Sequence, residues 1–178
     1  METKEIKPAV AGLILGLVSI VLFLVYYFTG LIFERNATTF IPMAVFVILV
    51  IIFINLWAKA NHNAVTYGGC FTYGFKSVAI AALLVFFFMV IFIYAFPDYK
   101  MRMLDVIKEQ MNQNSQISDE QREKALAMVS KMFIISTLGG SLFGNLMVGA
   151  IASLIGAAIP KKVEATPFSQ INQIGEPQ

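Results

Sequence analysis

Residues 133–159, FIISTLGGSLFGNLMVGAIASLIGAAI, contain no charged side chain. A helix of this length is about 40 Å long, enough to cross a hydrocarbon core of about 30 Å. Small residues recur four apart in this segment, and residues four apart lie on one face of a helix. The candidate helix-packing residues are Gly140, Gly144, Gly149, Ser153 and Gly156. Because small residues let a second helix approach closely in lipid, we predict that this segment is the last transmembrane helix and the packing centre of a bundle.

The composition of the whole chain fits the same environment. Of its 178 residues, 58% are hydrophobic and 13% are charged, whereas soluble domains carry about 25% charged residues. A bilayer is the solvent that matches this deficit. Four apolar segments predict spans at about 9–29, 40–58, 74–96 and 133–159. The predicted fold is therefore all-α, an integral membrane four-helix bundle over residues 9–162, with a polar N-terminal segment 1–8 and a disordered C-terminal tail 163–178.

One long polar connection, residues 98–132, separates the third and fourth predicted spans and holds six acidic and six basic residues. Its first part has apolar side chains at helical spacing, namely Met101, Leu104, Ile107 and Met111. The sequence NQNSQ breaks this pattern, and Ser118 with Gln121 then forms a capping box. The helix that follows is expected to continue without a break into the last span. We predict an amphipathic helical hairpin; the alternative is two helices that lie flat on the lipid headgroups.

Helix one carries a similar pair of small residues, Gly12 and Gly16. The matched spacing predicts that the face of the last helix with Gly140 and Gly144 packs on helix one. The topology, however, places Gly12 and Gly16 near the side of the membrane that holds the termini. Their own neighbours on the last helix are therefore expected to be Ser153, Gly156 and Ala157.

Three polar side chains within the predicted spans are candidates for a functional role: Asn55, Lys76 and Asn145. The asparagines can form hydrogen bonds between helices, which contribute about 0.6 kcal/mol on average, or they can line a narrow polar path. The long stem of Lys76 can carry its ammonium group to the headgroups. The alternative for Lys76 is a buried functional lysine.

Side chains for catalysis or metal binding are scarce. One histidine and one cysteine cannot form a multi-ligand His/Cys metal site, and the predicted spans contain no acidic residue that could relay protons. The net charge is +2 and the basic residues are scattered singly, so nucleic acid is not an expected partner. We expect neither enzymatic activity nor a cofactor. The expected partners are the lipid bilayer and either another membrane protein or further copies of the chain.

Several short motifs, taken together, resemble one protein family. They are YGGCFTYGF at 67–75, Phe96-Pro97-Asp98 after helix three, SDEQ at 118–121, and a glycine-rich last helix that ends in Pro160-Lys161-Lys162. Over roughly residues 6–162 the chain resembles the Domain of Unknown Function 4199 family, which comprises small four-helix membrane proteins known mainly from Bacteroidota. The resemblance implies a location in the bacterial inner membrane, and it transfers no catalytic residue.

Four spans place both termini on one side of the membrane. Basic residues number six on that side and seven on the other, so a simple count is undecided. Lys59, Lys161 and Lys162 directly adjoin helix ends, where the positive-inside rule applies, and they favour cytoplasmic termini. We expect a non-enzymatic structural or protein-interaction component of the membrane. The alternative is a small oligomeric transporter or channel, although four spans are few for a transporter with internal repeats.

Overall fold

A computed structural model describes residues 5–34, 37–113 and 118–160. These residues form five α-helices: α1 (Pro8–Phe28), α2 (Ile41–Ala60), α3 (Tyr67–Ala95), α4 (Pro97–Gln113) and α5 (Asp119–Ala158). Two short 3₁₀ turns, Leu31–Phe33 and Ala37–Phe40, lie between α1 and α2. α1, α2, α3 and α5 are each long and apolar enough to cross a membrane. The all-α fold with four membrane-spanning helices is therefore confirmed; the predicted tail 163–178 lies outside the described residues.

The helix α3 begins seven residues earlier than the sequence predicts, at Tyr67 rather than at residue 74. The pair Gly68 and Gly69 is typical of a turn, but here it lies in the first helical turn. The helix can start here because Thr66 is its N-cap: the Thr66 Oγ1 accepts a hydrogen bond from the Gly69 N–H at 3.1 Å. The ring of Tyr73 also stacks on Trp57 at 4.9 Å and so fixes this end of α3 against α2. The connection between α2 and α3 shrinks to residues 61–66.

The helix α5 is continuous over 40 residues and is therefore about 60 Å long. Its start has the predicted capping box, since the Ser118 Oγ accepts the Gln121 N–H and the Gln121 side chain accepts the Ser118 N–H. The first part of α5 packs against α4. This confirms the amphipathic hairpin between the third and fourth spans. Of the predicted break NQNSQ at 112–116, the first two residues are the last of α4, and residues 114–116 lie outside the described part of the chain.

The helix α3 is the hub of the bundle. It packs against α1, α5 and α2, whereas no Cα atom in the described part of α1 comes within 8 Å of one in α5. One buried cluster, which includes Leu15, Ile54 and Val78, lies towards the side of the N-terminus. We call this the terminal side. A second cluster, which includes Phe92 and Tyr99, lies towards α4, and we call this the connector side.

The glycines of α1 show why α3 holds this position. A Cβ atom added to Gly12 would lie 2.6 Å from the Ser77 carbonyl oxygen of α3. A Cβ atom added to Gly16 would lie 2.7 Å from the Leu84 Cδ2 of the same helix. Both expectations for Gly12 and Gly16 were therefore wrong, because these residues pack on α3 and not on α5. The α3 face offers the small residues Ser77 and Ala81, which allow the same close approach.

The far half of α5 also uses small residues for close contact. A Cβ added to Gly149 would overlap the Val78 side chain of α3, and one added to Gly156 would lie 2.7 Å from the Ile54 Cδ1 of α2. Ser153 is fully buried beside Gly74 of α3. These three residues thus place the terminal-side half of α5 between α2 and α3.

We predict that Gly149→Ala lowers the thermal midpoint of the protein in detergent, because the new methyl group meets buried Val78. Overpacking of this kind costs about 1–3 kcal/mol. The matched control is Gly144→Ala, since a Cβ at Gly144 has no neighbouring atom within 4 Å. Alanine also favours a helix over glycine by up to about 1 kcal/mol, so the control should be neutral or slightly stabilising. Equal midpoints for the two variants would contradict the packing described here.

Candidate functional site

The face of α5 that carries Gly140 and Gly144 does not pack on a neighbouring helix. A Cβ added to either residue would find no atom within 4 Å. The prediction that this face packs on α1 was wrong, because α1 and α5 lie on different sides of α3 and do not approach each other. Between them is a cavity of about 450 Å³, which we call the central cavity.

All four membrane-spanning helices contribute to the wall of the central cavity. The polar lining residues are Ser19, Thr39, Tyr99, Thr137, Ser141 and Asn145. The others are Phe23, Pro42, Met43, Phe46, Val85, Met89, Gly140, Gly144 and Val148. The stretch of α5 from Thr137 to Val148 rises about 17 Å, so the cavity extends through much of the connector-side half of the bundle.

One wall of the cavity is a polar stripe on α5. Thr137, Ser141 and Asn145 are spaced four apart and therefore share a helix face, beside Gly140 and Gly144. Their hydroxyl and amide groups can both donate and accept hydrogen bonds. Across the cavity, the Ser19 Oγ donates to the Leu15 carbonyl oxygen at 2.8 Å and keeps lone pairs that can accept. None of the residues that line the cavity carries a charged side chain. The polar stripe can therefore form hydrogen bonds with neutral polar groups.

Tyr99 of α4 lines the cavity at its connector side. Its ring is 4% exposed and lies edge-on to Phe92 at 5.5 Å and to Phe133 at 6.1 Å. Burial raises the pKa of the Tyr99 phenol above its usual value, so the group stays protonated and neutral at physiological pH. Tyr99 therefore adds an uncharged hydroxyl to the lining and also attaches α4 to α5.

A second concave surface lies between the two arms of the hairpin. It encloses about 430 Å³ and is lined by Lys108, Met111, Asn112, Arg122, Glu123 and Leu126; we call it the hairpin groove. The arms are held near the membrane by the Tyr99–Phe133 contact and by the Arg102 guanidinium, which lies 5.7 Å from the centre of the Phe33 ring. The groove is thus built on two anchored helices.

The three polar candidates from the sequence are in different places. The Asn55 Nδ2 donates to the Ile51 carbonyl oxygen of its own helix at 2.8 Å, and Asn55 is not among the residues that line the central cavity. Lys76 is exposed on the surface of α3. Since α3 has 29 residues and is about 43 Å long, its ends pass beyond the hydrocarbon and the Lys76 stem can reach the headgroups. Asn145 is the candidate that lines the central cavity.

Four polar residues of the central cavity were not singled out from the sequence. Thr137 lies four residues before Ser141 and eight before Asn145, on the same face of the last helix, so the four-residue spacing in this segment could have identified it. Ser19 similarly follows Gly12 and Gly16 on α1. Thr39 and Tyr99 lie outside the spans predicted from the sequence, and only the tertiary structure brings them to the cavity.

Comparison with known proteins gives one family. A family model described as "Protein of unknown function (DUF4199)" matches residues 11–162, which is most of the chain. No curated protein and no solved structure matches the chain.

We predict that Phe133→Ala loosens the hairpin, because Phe133 is 3% exposed and holds Tyr99. Removing a buried phenylalanine costs about 3–5 kcal/mol. Backbone amides of α4 should therefore exchange with deuterium faster in this variant. Ile135→Ala is the control, since Ile135 is 71% exposed on the same helix. If both variants left exchange in α4 unchanged, Phe133 would not anchor the hairpin.

Proposed function

The chain belongs to the DUF4199 family, and from that premise we propose that it is a non-enzymatic structural component of the bacterial inner membrane that binds a partner protein through its hairpin. The four membrane-spanning helices would hold the hairpin at the membrane surface. The hairpin groove would be the contact surface for the partner.

The hairpin groove is the observation that carries this proposal. Met111 and Leu126 provide apolar contact area, while Lys108, Arg122 and Glu123 add charged groups around it. An apolar centre with a polar rim is the usual anatomy of a protein interface. Both arms are helical and anchored, so little conformational entropy would be lost on binding.

The composition of the groove also indicates the kind of partner. It would be a protein segment that places an apolar side chain against Met111 and Leu126. Acidic and basic groups on either side of that side chain would face Lys108 and Glu123 respectively. Such charge complementarity contributes chiefly to specificity and association rate.

Site-specific photo-crosslinking in living cells tests this proposal. Benzoylphenylalanine in place of Asn112, which lines the groove, should give one stoichiometric crosslinked partner. Glu123→Lys at the groove should reduce the crosslinked product about tenfold, because it reverses one rim charge. Glu109→Lys is the matched control, as Glu109 is exposed on α4 outside the groove. Equal yields from both reversals, or no stoichiometric product, would refute a partner in the groove.

We further propose that both termini are cytoplasmic, which places the hairpin on the outer side of the inner membrane. Lys59 in the last turn of α2 supports this orientation, because it is exposed at the terminal side next to a span. Lys161 and Lys162 add to the same argument from the sequence and lie outside the described residues.

Single-cysteine labelling tests the orientation. In a Cys70→Ala background, Asn112→Cys should react with a membrane-impermeant maleimide in intact spheroplasts. His62→Cys, which is exposed on the opposite side of the bundle, should react only after the membrane is opened. The native chain is a useful blank, since Cys70 is buried. Labelling of His62→Cys alone in intact spheroplasts would reverse the orientation.

The central cavity favours a second candidate, a small oligomeric transporter or channel. Thr137, Ser141 and Asn145 give it a polar wall within the membrane-spanning part of α5. Polar groups at this depth often mark solute pathways. Solute flux in proteoliposomes that fails with Asn145→Leu would support this candidate over the partner-binding one.

A further inference from the structure

We propose that the central cavity is a binding site for one small neutral amphiphile. Its polar head would contact Thr137, Ser141 and Asn145, and its apolar body would lie against Phe23, Phe46 and Met89. This proposal is independent of the hairpin groove, which lies on other residues.

The glycines of α5 differ in how closely other helices pack against them, so the cavity is a local feature and α5 is not loosely packed along its whole length. At Gly149 and Gly156 neighbouring side chains approach so closely that a Cβ would overlap them. At Gly140 and Gly144 the same test finds nothing within 4 Å. Met43 and Gly140 are exposed, so the central cavity of about 450 Å³ opens on the surface of the bundle, and an amphiphile dissolved in the membrane can enter it from that side.

The chemistry of the lining selects a neutral occupant with hydrogen-bonding groups. The Asn145 amide has two donors and one acceptor oxygen, and the Ser141 and Thr137 hydroxyls add further donors and acceptors. Polar groups that stay unpaired away from water cost free energy, and a head with hydroxyl or carbonyl groups would pair them. A charged head would meet no opposite charge among the residues that line this cavity, and a charge at this depth is costly.

The size of the central cavity suits a small ligand. The available volume is about 450 Å³, which falls within the usual range of about 300–1,000 Å³ for small-ligand sites. With Phe23 and Met89 opposite the polar stripe, the cavity fits the head and the adjoining part of the chain of an amphiphile, and the rest of the chain can extend through the open side.

Photolabelling of the full chain in nanodiscs tests this proposal. The probe is a monoacylglycerol with a diazirine in its acyl chain, and the competitor is unlabelled monoolein. We expect monoolein-sensitive labels on peptides that contain residues 42–46 or 137–148. Gly144→Leu should fill the cavity and reduce this labelling at least tenfold. Gly139→Leu should keep it within twofold, because Gly139 has equal space around it but does not line the cavity.

A second pair of measurements checks the chemistry of the head. Asn145→Leu, which is nearly isosteric, should reduce the competed labelling several-fold while the far-ultraviolet circular dichroism of the chain stays unchanged. A photoreactive oleate, which carries a carboxylate, should label the same peptides at least tenfold less than the glyceride. Equal labelling by the two probes would overturn the assignment of a neutral ligand.

Three further results would overturn the site itself. Labels spread evenly over the lipid-facing surface would show that the probe only partitions into lipid. Full labelling of Gly144→Leu would place the probe elsewhere. The third result combines two observations: the native chain shows no monoolein-sensitive label, and Gly144→Leu changes the oligomeric state measured by light scattering. Together they would show that side chains of a second copy fill the cavity.

Discussion

The close contact of α3 with α1 and α5 is the interaction on which the rest of the bundle depends. Lipid tails are as apolar as leucine, so helices in a bilayer associate mainly through van der Waals contact. Gly12 and Gly16 bring α1 onto α3, and Gly149 brings α5 onto α3. α1 and α5 are consequently joined through α3 and not to each other.

This arrangement gives the molecule both of its concave surfaces. The space between α1 and α5 is the central cavity, and Gly140 and Gly144 widen it because they add no side chain. Tyr99 lines the connector side of that cavity and, with Phe133, holds α4 against α5. The same aromatic contact therefore joins the membrane-embedded cavity to the hairpin groove outside it.

The sequence predicts the spans and the hairpin well, because a bilayer requires about 20 apolar residues per helix and a capping box such as Ser118–Gln121 marks a helix start. It predicts helix partners poorly, since most faces of a lipid-embedded helix are apolar whether they meet lipid or another helix. Small residues on α3 and α5 match Gly12 and Gly16 equally well. The start of α3 was missed because the Thr66 cap outweighs two glycines. Asn145 could be predicted as a polar group at depth; Thr39 and Tyr99 could not, because their place at the cavity depends on how the connecting segments fold back.

Disulfide formation across the bundle tests the central position of α3 most directly. In a Cys70→Ala background, the pair Gly16→Cys and Leu84→Cys joins α1 to α3 at positions whose Cβ atoms would lie 3.2 Å apart, close to disulfide geometry. Leu84→Cys also removes the Leu84 Cδ2, which would lie 2.7 Å from a Cβ at position 16. The pair Ser19→Cys and Ser141→Cys joins α1 to α5 across the cavity, where Cα atoms are more than 8 Å apart. We predict that the pair at positions 16 and 84 oxidises rapidly to a disulfide and that the pair at positions 19 and 141 does not. The opposite result, a rapid disulfide between positions 19 and 141 and none between 16 and 84, would contradict the central position of α3.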